Sequence, residues 1–261
     1  MSGAVAGHRL STRLWHWVNA AVFFVLLMSG LMIFNAHPRL YWGEYGADYD
    51  PAWLEIGADA GRGYLRVGEV QIDTTGVLGT SRTKGRVWNV AFPGWATIPS
   101  TYDLALARRW HLSFAWLLAL GLAGYAGWSL VNGHLRRDLV PRAAEVAPGN
   151  LRAEIGRHLR LDFPRDRYNV LQKLAYLVVL LVLLPLMVLS GLTMSPSMDA
   201  TWPWLLDLFG GRQTARSVHF ILAWTLVGFL LVHLAMLLLA GPVGRVGAMI
   251  TGRRRAPGEG G

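Results

Sequence analysis

Four stretches of this chain stay apolar for about 20 residues each, the length of helix that crosses a hydrocarbon layer of about 30 Å. They are Leu14–Phe34, Arg109–Val131, Asn169–Thr193 and Ala215–Leu239. Lipid offers no partner to a backbone N–H or C=O, so a spanning segment that is not part of a closed barrel must be helical. Composition agrees, with 53% of the 261 residues hydrophobic and 16% charged, too little charge for an ordinary soluble domain. The expected fold is an all-α membrane protein, a four-transmembrane-helix bundle with a long insertion between helices 1 and 2. No small-x-small cleavage site follows the first stretch before Asn35-Ala36-His37-Pro38, so that stretch is expected to remain as an anchor.

Basic residues set the orientation, because loops on the cytoplasmic side carry the excess of arginine and lysine. Arg9 and Arg13 precede the first span, eight arginines lie in 132–167, and the tail carries Arg245 and Arg253-Arg254-Arg255. The short connection 194–214 has Arg212 alone. The expected order is therefore a cytoplasmic N-terminus and first helix (1–34), a periplasmic insertion (35–107) and a second helix (108–131). A cytoplasmic loop (132–167), third helix (168–193), periplasmic loop (194–214), fourth helix (215–240) and cytoplasmic basic tail (241–261) follow. The net charge of +9 is then a membrane feature, and no nucleic-acid partner is expected.

The insertion is too long for a turn. Its alternating run Tyr64-Leu-Arg-Val-Gly-Glu-Val-Gln-Ile72 reads as a hairpin in a small folded cap, and its aromatics Tyr41, Trp42, Trp53, Trp88 and Trp95 read equally as belt residues of a membrane-surface loop.

The spans also repeat. Ala107-Arg108-x-x-His111-x-x-x-Ala115-Trp116 recurs 108 residues later as Ala215-Arg216-x-x-His219-x-x-x-Ala223-Trp224, and Ser29-Gly30-Leu31 recurs as Ser190-Gly191-Leu192. The chain reads as a doubled helical hairpin.

Intramembrane histidines are costly and need partners. His219 and His233 stand about 21 Å apart along one helix and point to nearly the same side, so they address two depths and not one metal ion. Span direction pairs the rest by depth: His111 with His219 at the periplasmic level, His16 with His233 at the cytoplasmic level. The chain has no cysteine, which excludes thiolate-bound clusters and thioether-linked haem. Two imidazoles facing across a flat cofactor at each level suit two haem b groups. A single membrane histidine is more commonly a hydrogen-bonded helix contact; four that pair by depth favour ligation. His8, His37, His134 and His158 lie in tails or loops, with His37 and His134 as fallback ligands.

Arg108, Arg109 and Arg216 gather at the outer level, and Arg9 and Arg13 flank the inner one, where they either meet haem propionates or snorkel to headgroups. Asn169, Gln172 and Lys173 sit at the depth of His16 and His233, where a quinone headgroup needs polar partners; the alternative is an interfacial helix start. Asn19, one turn from His16, either orients a haem edge or its ligand, or contacts another helix.

On the residues "RLWHWVNA" around His16, "RRWHLSFAW" around His111, the pair His219/His233 and "RYNVLQKLAY" from Arg167 to Tyr176, the chain resembles the bacterial di-haem cytochrome b subunits of formate dehydrogenase, nickel–iron hydrogenase and thiosulfate reductase, with their cytochrome b561-like four-helix fold. The insertion, with "PRLYWGE" and "IPSTYDLALARRWH", is more similar to the thiosulfate reductase branch. The resemblance implies a bacterial inner-membrane subunit that exchanges electrons between quinone and a periplasmic molybdopterin-type oxidoreductase. It also implies a quinone pocket beside Asn169 and Gln172, although Leu171 stands where formate dehydrogenase subunits have glycine. Two alternatives are a stand-alone cytochrome b561 enzyme, for example a superoxide/quinone oxidoreductase, and a haem-free transporter or assembly factor.

Overall fold

A computed structural model describes residues 5–6, 10–83, 85–133, 137, 140–160, 170–239 and 241–254. All four expected spans are helices: α1 (Leu10–Phe34), α2 (Leu104–Val131), the pair α4 (Val170–Val178) and α5 (Leu184–Thr193), and α8 (Arg212–Leu239). The first, second and fourth begin three to five residues before the apolar stretches do, at Leu10, Leu104 and Arg212. At α2 the reason is Asp103, whose carboxylate accepts the Leu106 N–H at 2.9 Å and caps the first turn. The third span is divided by a π turn, Val179–Leu183. Pro185 follows it, and a proline has no N–H for the preceding turn and crowds the carbonyl four residues back, which opens the helix locally.

Before the first span lies β1 (Val5–Ala6); between the spans lie β2 (Arg39–Leu40), β3 (Leu54–Asp59), β4 (Arg62–Val67), β5 (Val70–Asp73), β6 (Thr80–Thr83), β7 (Arg86–Asn89) and the helices α3 (Pro148–Leu159), α6 (Pro196–Thr201) and α7 (Trp204–Phe209); after the last come α9 (Pro242–Thr251) and β8 (Arg253–Arg254). β1 pairs antiparallel with β8. Residue contacts group the chain into two compact units. One takes in Met1–Ala20, Leu122–Leu184 and Trp224–Gly261; the other takes in Ala21–Gly121 and Pro185–Ala223.

The second unit contains the insertion, which is folded. Strands β2-β3-β4-β5 form an antiparallel sheet and β6-β7 a separate ribbon. The alternation from Tyr64 to Ile72 is indeed a hairpin, β4 to β5, closed at Val67↔Val70. All-α is thus too narrow for the whole chain: the spans are helical and the insertion is a β cap. The sheet forms because its inward residues can join a core. Phe34, Leu40, Leu54, Ile56, Ala91 and Phe92 are buried together, with Phe220 of α8 against them, and Phe34 stacks on Phe220 at 4.8 Å. A loop without this sheet would leave the apolar set unpacked.

Segment 37–43 is seated on the first turn of α8. The Gly43 carbonyl accepts the Gln213 and Thr214 N–H groups at 3.1 Å each, supplying partners to two amides that a helix start leaves orphaned. Ser217 Oγ donates to the Tyr41 carbonyl at 2.6 Å and accepts Trp53 Nε1–H at 2.9 Å. Arg216 donates to the Arg39 carbonyl at 3.0 Å and to that of His37. Two residues beyond Ser217 comes His219.

Inside the sheet, Glu55 is buried at 3% exposure. Oε1 accepts Arg39 Nε at 3.0 Å and Nη2 at 2.9 Å and Tyr64 Oη–H at 2.9 Å, while Arg66 pairs with Oε2. Burial alone would raise the Glu55 pKa, but the Tyr64 and Arg39 hydrogen bonds and the charges of Arg39 and Arg66 outweigh it and hold the carboxyl below the usual carboxylate range. A depressed folded value contributes stability that is complete above the unfolded carboxylate value and is lost as pH falls through the folded one. Acid titration followed by tryptophan fluorescence is expected to show the cap loosening, and Glu55→Gln to flatten that dependence. Equal acid sensitivity in the two chains would refute this assignment.

Candidate functional site

His111 on α2 and His219 on α8 face one another in the second unit, with ring centres 6.2 Å apart and planes at 61°. His16 on α1 and His233 on α8 do the same in the first unit, at 6.3 Å and 50°. The two pairs read from depth alone are the two pairs the fold brings together.

Each ring of the 111/219 pair is backed by the repeated serine–glycine. Ser29 Oγ lies 3.1 Å from His111 Nδ1, and the Leu26 carbonyl lies 3.1 Å from the same nitrogen. Ser190 Oγ lies 3.0 Å from His219 Nδ1, with the Met187 carbonyl a further backbone partner of that ring. The Ser29 hydroxyl is placed to donate to Val25 at 2.6 Å, and that of Ser190 to Met187 at 3.1 Å. With the serine proton spent on its own helix, and carbonyls having none to give, the hydrogen between serine and histidine belongs on Nδ1. That tautomer leaves the Nε2 lone pair of each ring available as a base or ligand. The glycines make room: a Cβ on Gly30 would stand 3.3 Å from His111 Cε1, and one on Gly191 3.4 Å from His219 Cε1. Sequence reasoning found this repeat but assigned its serines no task; the recurrence of Ser-Gly-Leu at the end of the first and third spans, each ahead of a histidine-bearing span, was the available signal.

The 16/233 pair has different surroundings. Trp17 meets His16 edge-on at 5.2 Å, and Phe229 stacks near His233 at 6.1 Å. The repeat positions matching these histidines are Leu177 and Tyr125, and Tyr125 stacks flat on Trp15 at 5.5 Å. The internal repeat therefore extends to one pair and has diverged at the other.

Two imidazoles that grip one metal ion from opposite sides, each nitrogen about 2 Å from it and about 1 Å from its ring centre, have centres about 6 Å apart. Both pairs meet that spacing. Among the described residues no group of three or more His, Asp or Glu gathers as a metal site, so a bare ion would find two protein ligands at either pair. A macrocycle that brings four nitrogens of its own completes such a site.

The other expected site residues are placed as follows. Arg216 is committed to the carbonyls of His37 and Arg39 and lies over the Phe34 ring at 5.7 Å. Arg108 and Arg109 are exposed on the first turns of α2, and Arg109 edges a 310 Å³ surface groove with Trp110, Ser113 and Phe114. Arg13 Nε donates to the Met249 carbonyl at 3.1 Å, and Arg13 also bonds that of Ile250. Asn19 donates to Trp15 of its own helix at 2.7 Å. Lys173 is paired with both Glu145 oxygens at 2.9 Å; that hydrogen bond, with one from the Arg142 amide, holds the Glu145 carboxyl below its usual range. Gln172 lies in the first turn of α4, half-buried. Asn169, Arg9, His8 and His134 lie outside the described residues, as does the side chain of His158.

The description of the prokaryotic cytochrome b561 family matches residues 7–252. The chain is 34% identical over 134 residues to a putative protein-methionine-sulfoxide reductase subunit of Azospira oryzae, covering 51% of this chain and 65% of that protein. It is 27% identical over 144 residues to a probable Ni/Fe-hydrogenase B-type cytochrome subunit of Azotobacter vinelandii, covering 51% and 60%. With the corresponding protein of Cupriavidus necator it shares 22% identity over 257 residues, 93% of this chain and 83% of that one. In the first two matches the chain thus spans less than two thirds of the relative's length. No solved structure matches.

Proposed function

The chain belongs to the prokaryotic cytochrome b561 family of membrane haem proteins, and from that premise we propose that it is a di-haem electron carrier of the bacterial inner membrane. It links the quinone pool to a periplasmic oxidoreductase of molybdopterin type, which it also anchors. His16 and His233 hold one haem b at the cytoplasmic level, and His111 and His219 hold the other at the periplasmic level. The observation that carries this reading is the spacing of the two imidazole pairs, 6.3 and 6.2 Å between ring centres, which is the separation an axially ligated iron requires.

When bound there, haem supplies reversible one-electron transfer. The chain's own residues would restrict it to that task. With a histidine from each side holding it, a haem there would have no place left for oxygen or substrate to bind. Ser29 and Ser190 fix the tautomer of the periplasmic pair and keep Nε2 basic. At that level Arg108 and Arg109, exposed on α2, are the propionate partners we assign among the described residues, since Arg216 is occupied by the cap.

The molybdopterin class of partner is supported by the resemblance of the insertion to the thiosulfate reductase branch. The hydrogenase cytochromes among the relatives favour a second reading, in which the partner is a hydrogenase. Purified full-length chain should be red, with a reduced-minus-oxidised spectrum of b type and two haems per polypeptide. A colourless protein removes the electron-carrier reading. A mild-detergent preparation from native membranes should bring down a large redox subunit, whose pterin or nickel content separates the two partners. Its absence leaves the stand-alone oxidoreductase.

A further inference from the structure

We propose that Trp53 of the cap and Ser217 of α8 are positioning residues for the haem at the 111/219 pair: the bond between them fixes the back of the helix turn that carries His219 and keeps that turn dry. This rests on the haem reading above and gives the insertion a task within it.

Trp53 is itself anchored in the cap. Its N–H donates to the Leu40 carbonyl at 2.9 Å and its own carbonyl accepts the Gly68 N–H at 2.8 Å. The exposed Trp42 ring stacks on its indole at 5.4 Å, with the planes 17° apart. The indole N–H is thus held in place where it meets Ser217 Oγ, 2.9 Å away. Ser217 is fully buried, and its proton goes to the Tyr41 carbonyl at 2.6 Å. Breaking this set would strand buried polar groups, which costs more than a single bond contributes. Cap and helix therefore stay engaged.

Two residues along a helix turn the side chain by about 200°, so Ser217 and His219 project from nearly opposite sides of α8. The cap bears on the back of the turn whose front presents an imidazole to His111 at 6.2 Å. Cap contacts also bracket that ring along the helix. Bonds to Gln213, Thr214 and Arg216 precede it, and the stack of Phe34 on Phe220 follows it. The partner helix is held differently, since the first turn of α2 is capped by its own Asp103. His219 is thus the ring whose seat depends on the insertion.

The cap also closes this end of α8 to solvent, leaving Ala215 and Ser217 buried. A haem iron held by neutral imidazoles gains positive charge on oxidation, and nearby water favours that form. Loosening the latch admits water and lowers the midpoint potential at this pair.

The test is a redox titration with EPR on the full-length haem-loaded chain in nanodiscs, each haem assigned by the signal missing in His219→Ala or His233→Ala. Trp53→Phe, which keeps a ring and loses the N–H, and Ser217→Ala are each expected to shift the g values of the 111/219 haem. Each should also lower its reduction equilibrium constant about fivefold, the worth of one hydrogen bond, or about 40 mV at about 59 mV per tenfold. The haem:protein ratio and the 16/233 haem should not change. Because both substitutions cut one bond, the double variant should move the potential no further than Ser217→Ala alone. Tyr64→Phe, which removes a hydrogen bond to Glu55 inside the sheet and spares the latch, is the control and should leave both haems unaltered. Unchanged g values and potential in Trp53→Phe, a raised potential, additive shifts, or an equal shift in Tyr64→Phe or in the 16/233 haem each overturn the proposal. Should Ser217→Ala fail to fold, Trp53→Phe decides alone. A colourless unsubstituted chain removes the haem reading itself, a result distinct from all of these.

Discussion

Replacing His219 with alanine is expected to halve the haem content of the purified chain and to leave the remaining haem with the spectrum and midpoint potential of the 16/233 pair. His219 and His111 form one contact across 6.2 Å. Truncating either ring would leave one protein ligand and a gap where the second imidazole stood, and b-type haem has no thioether link to keep it in place. The loss should be confined to one haem because the other pair belongs to a different compact unit. His233→Ala is the mirror experiment and should spare the haem of the 111/219 pair. Imidazole added to the buffer should restore part of the missing absorbance in either variant by filling the gap. Full haem retention with an unaltered low-spin signal in His219→Ala would exclude His219 as a ligand.

The four histidines were readable in advance for a physical reason. A membrane span imposes depth, helix direction alternates from span to span, and an imidazole in lipid must meet something at its own depth. These constraints left two pairings, and the rings are found in those pairings. The cap was only half readable. Its hairpin alternation showed, but whether the aromatics faced lipid or a core depended on contacts such as Phe34 with Phe220, which join residues far apart in the chain. Cations were the least readable. Arginine beside a membrane helix has several partners of similar worth, and only coordinates show that Arg216 is spent on the backbone of the cap and Arg13 on α9. The π turn ahead of Pro185 was marked in the sequence by the proline itself.

Repetition of Ser-Gly before each histidine of one pair yields the second large expected effect. Gly30→Val and Gly191→Val should each abolish the haem between His111 and His219 while the chain still folds and inserts. A single added carbon at Gly30 would sit 3.3 Å from His111 Cε1, tighter than most ordinary contacts, and one at Gly191 3.4 Å from His219 Cε1, at the near limit of them. Alanine there asks the ring to yield a few tenths of an ångström. Valine adds two further methyl groups on the same side, and a close-packed interior accommodates such volume by displacing a side chain. The displaced ring also leaves Ser29 or Ser190, so tautomer control and geometry fail together. Alanine should therefore give an intermediate result, with haem retained and its midpoint potential or EPR g values shifted. Valine at Gly124, where an added Cβ meets nothing within 4 Å, is the control for adding bulk to a membrane helix. If Gly124→Val removes as much haem as Gly30→Val, general helix disturbance accounts for the loss and the glycines have no special place beside the rings. If only the serine–glycine sites respond, and both do so alike, the two halves of the repeat share one haem-holding task although they have diverged at the positions of His16 and His233.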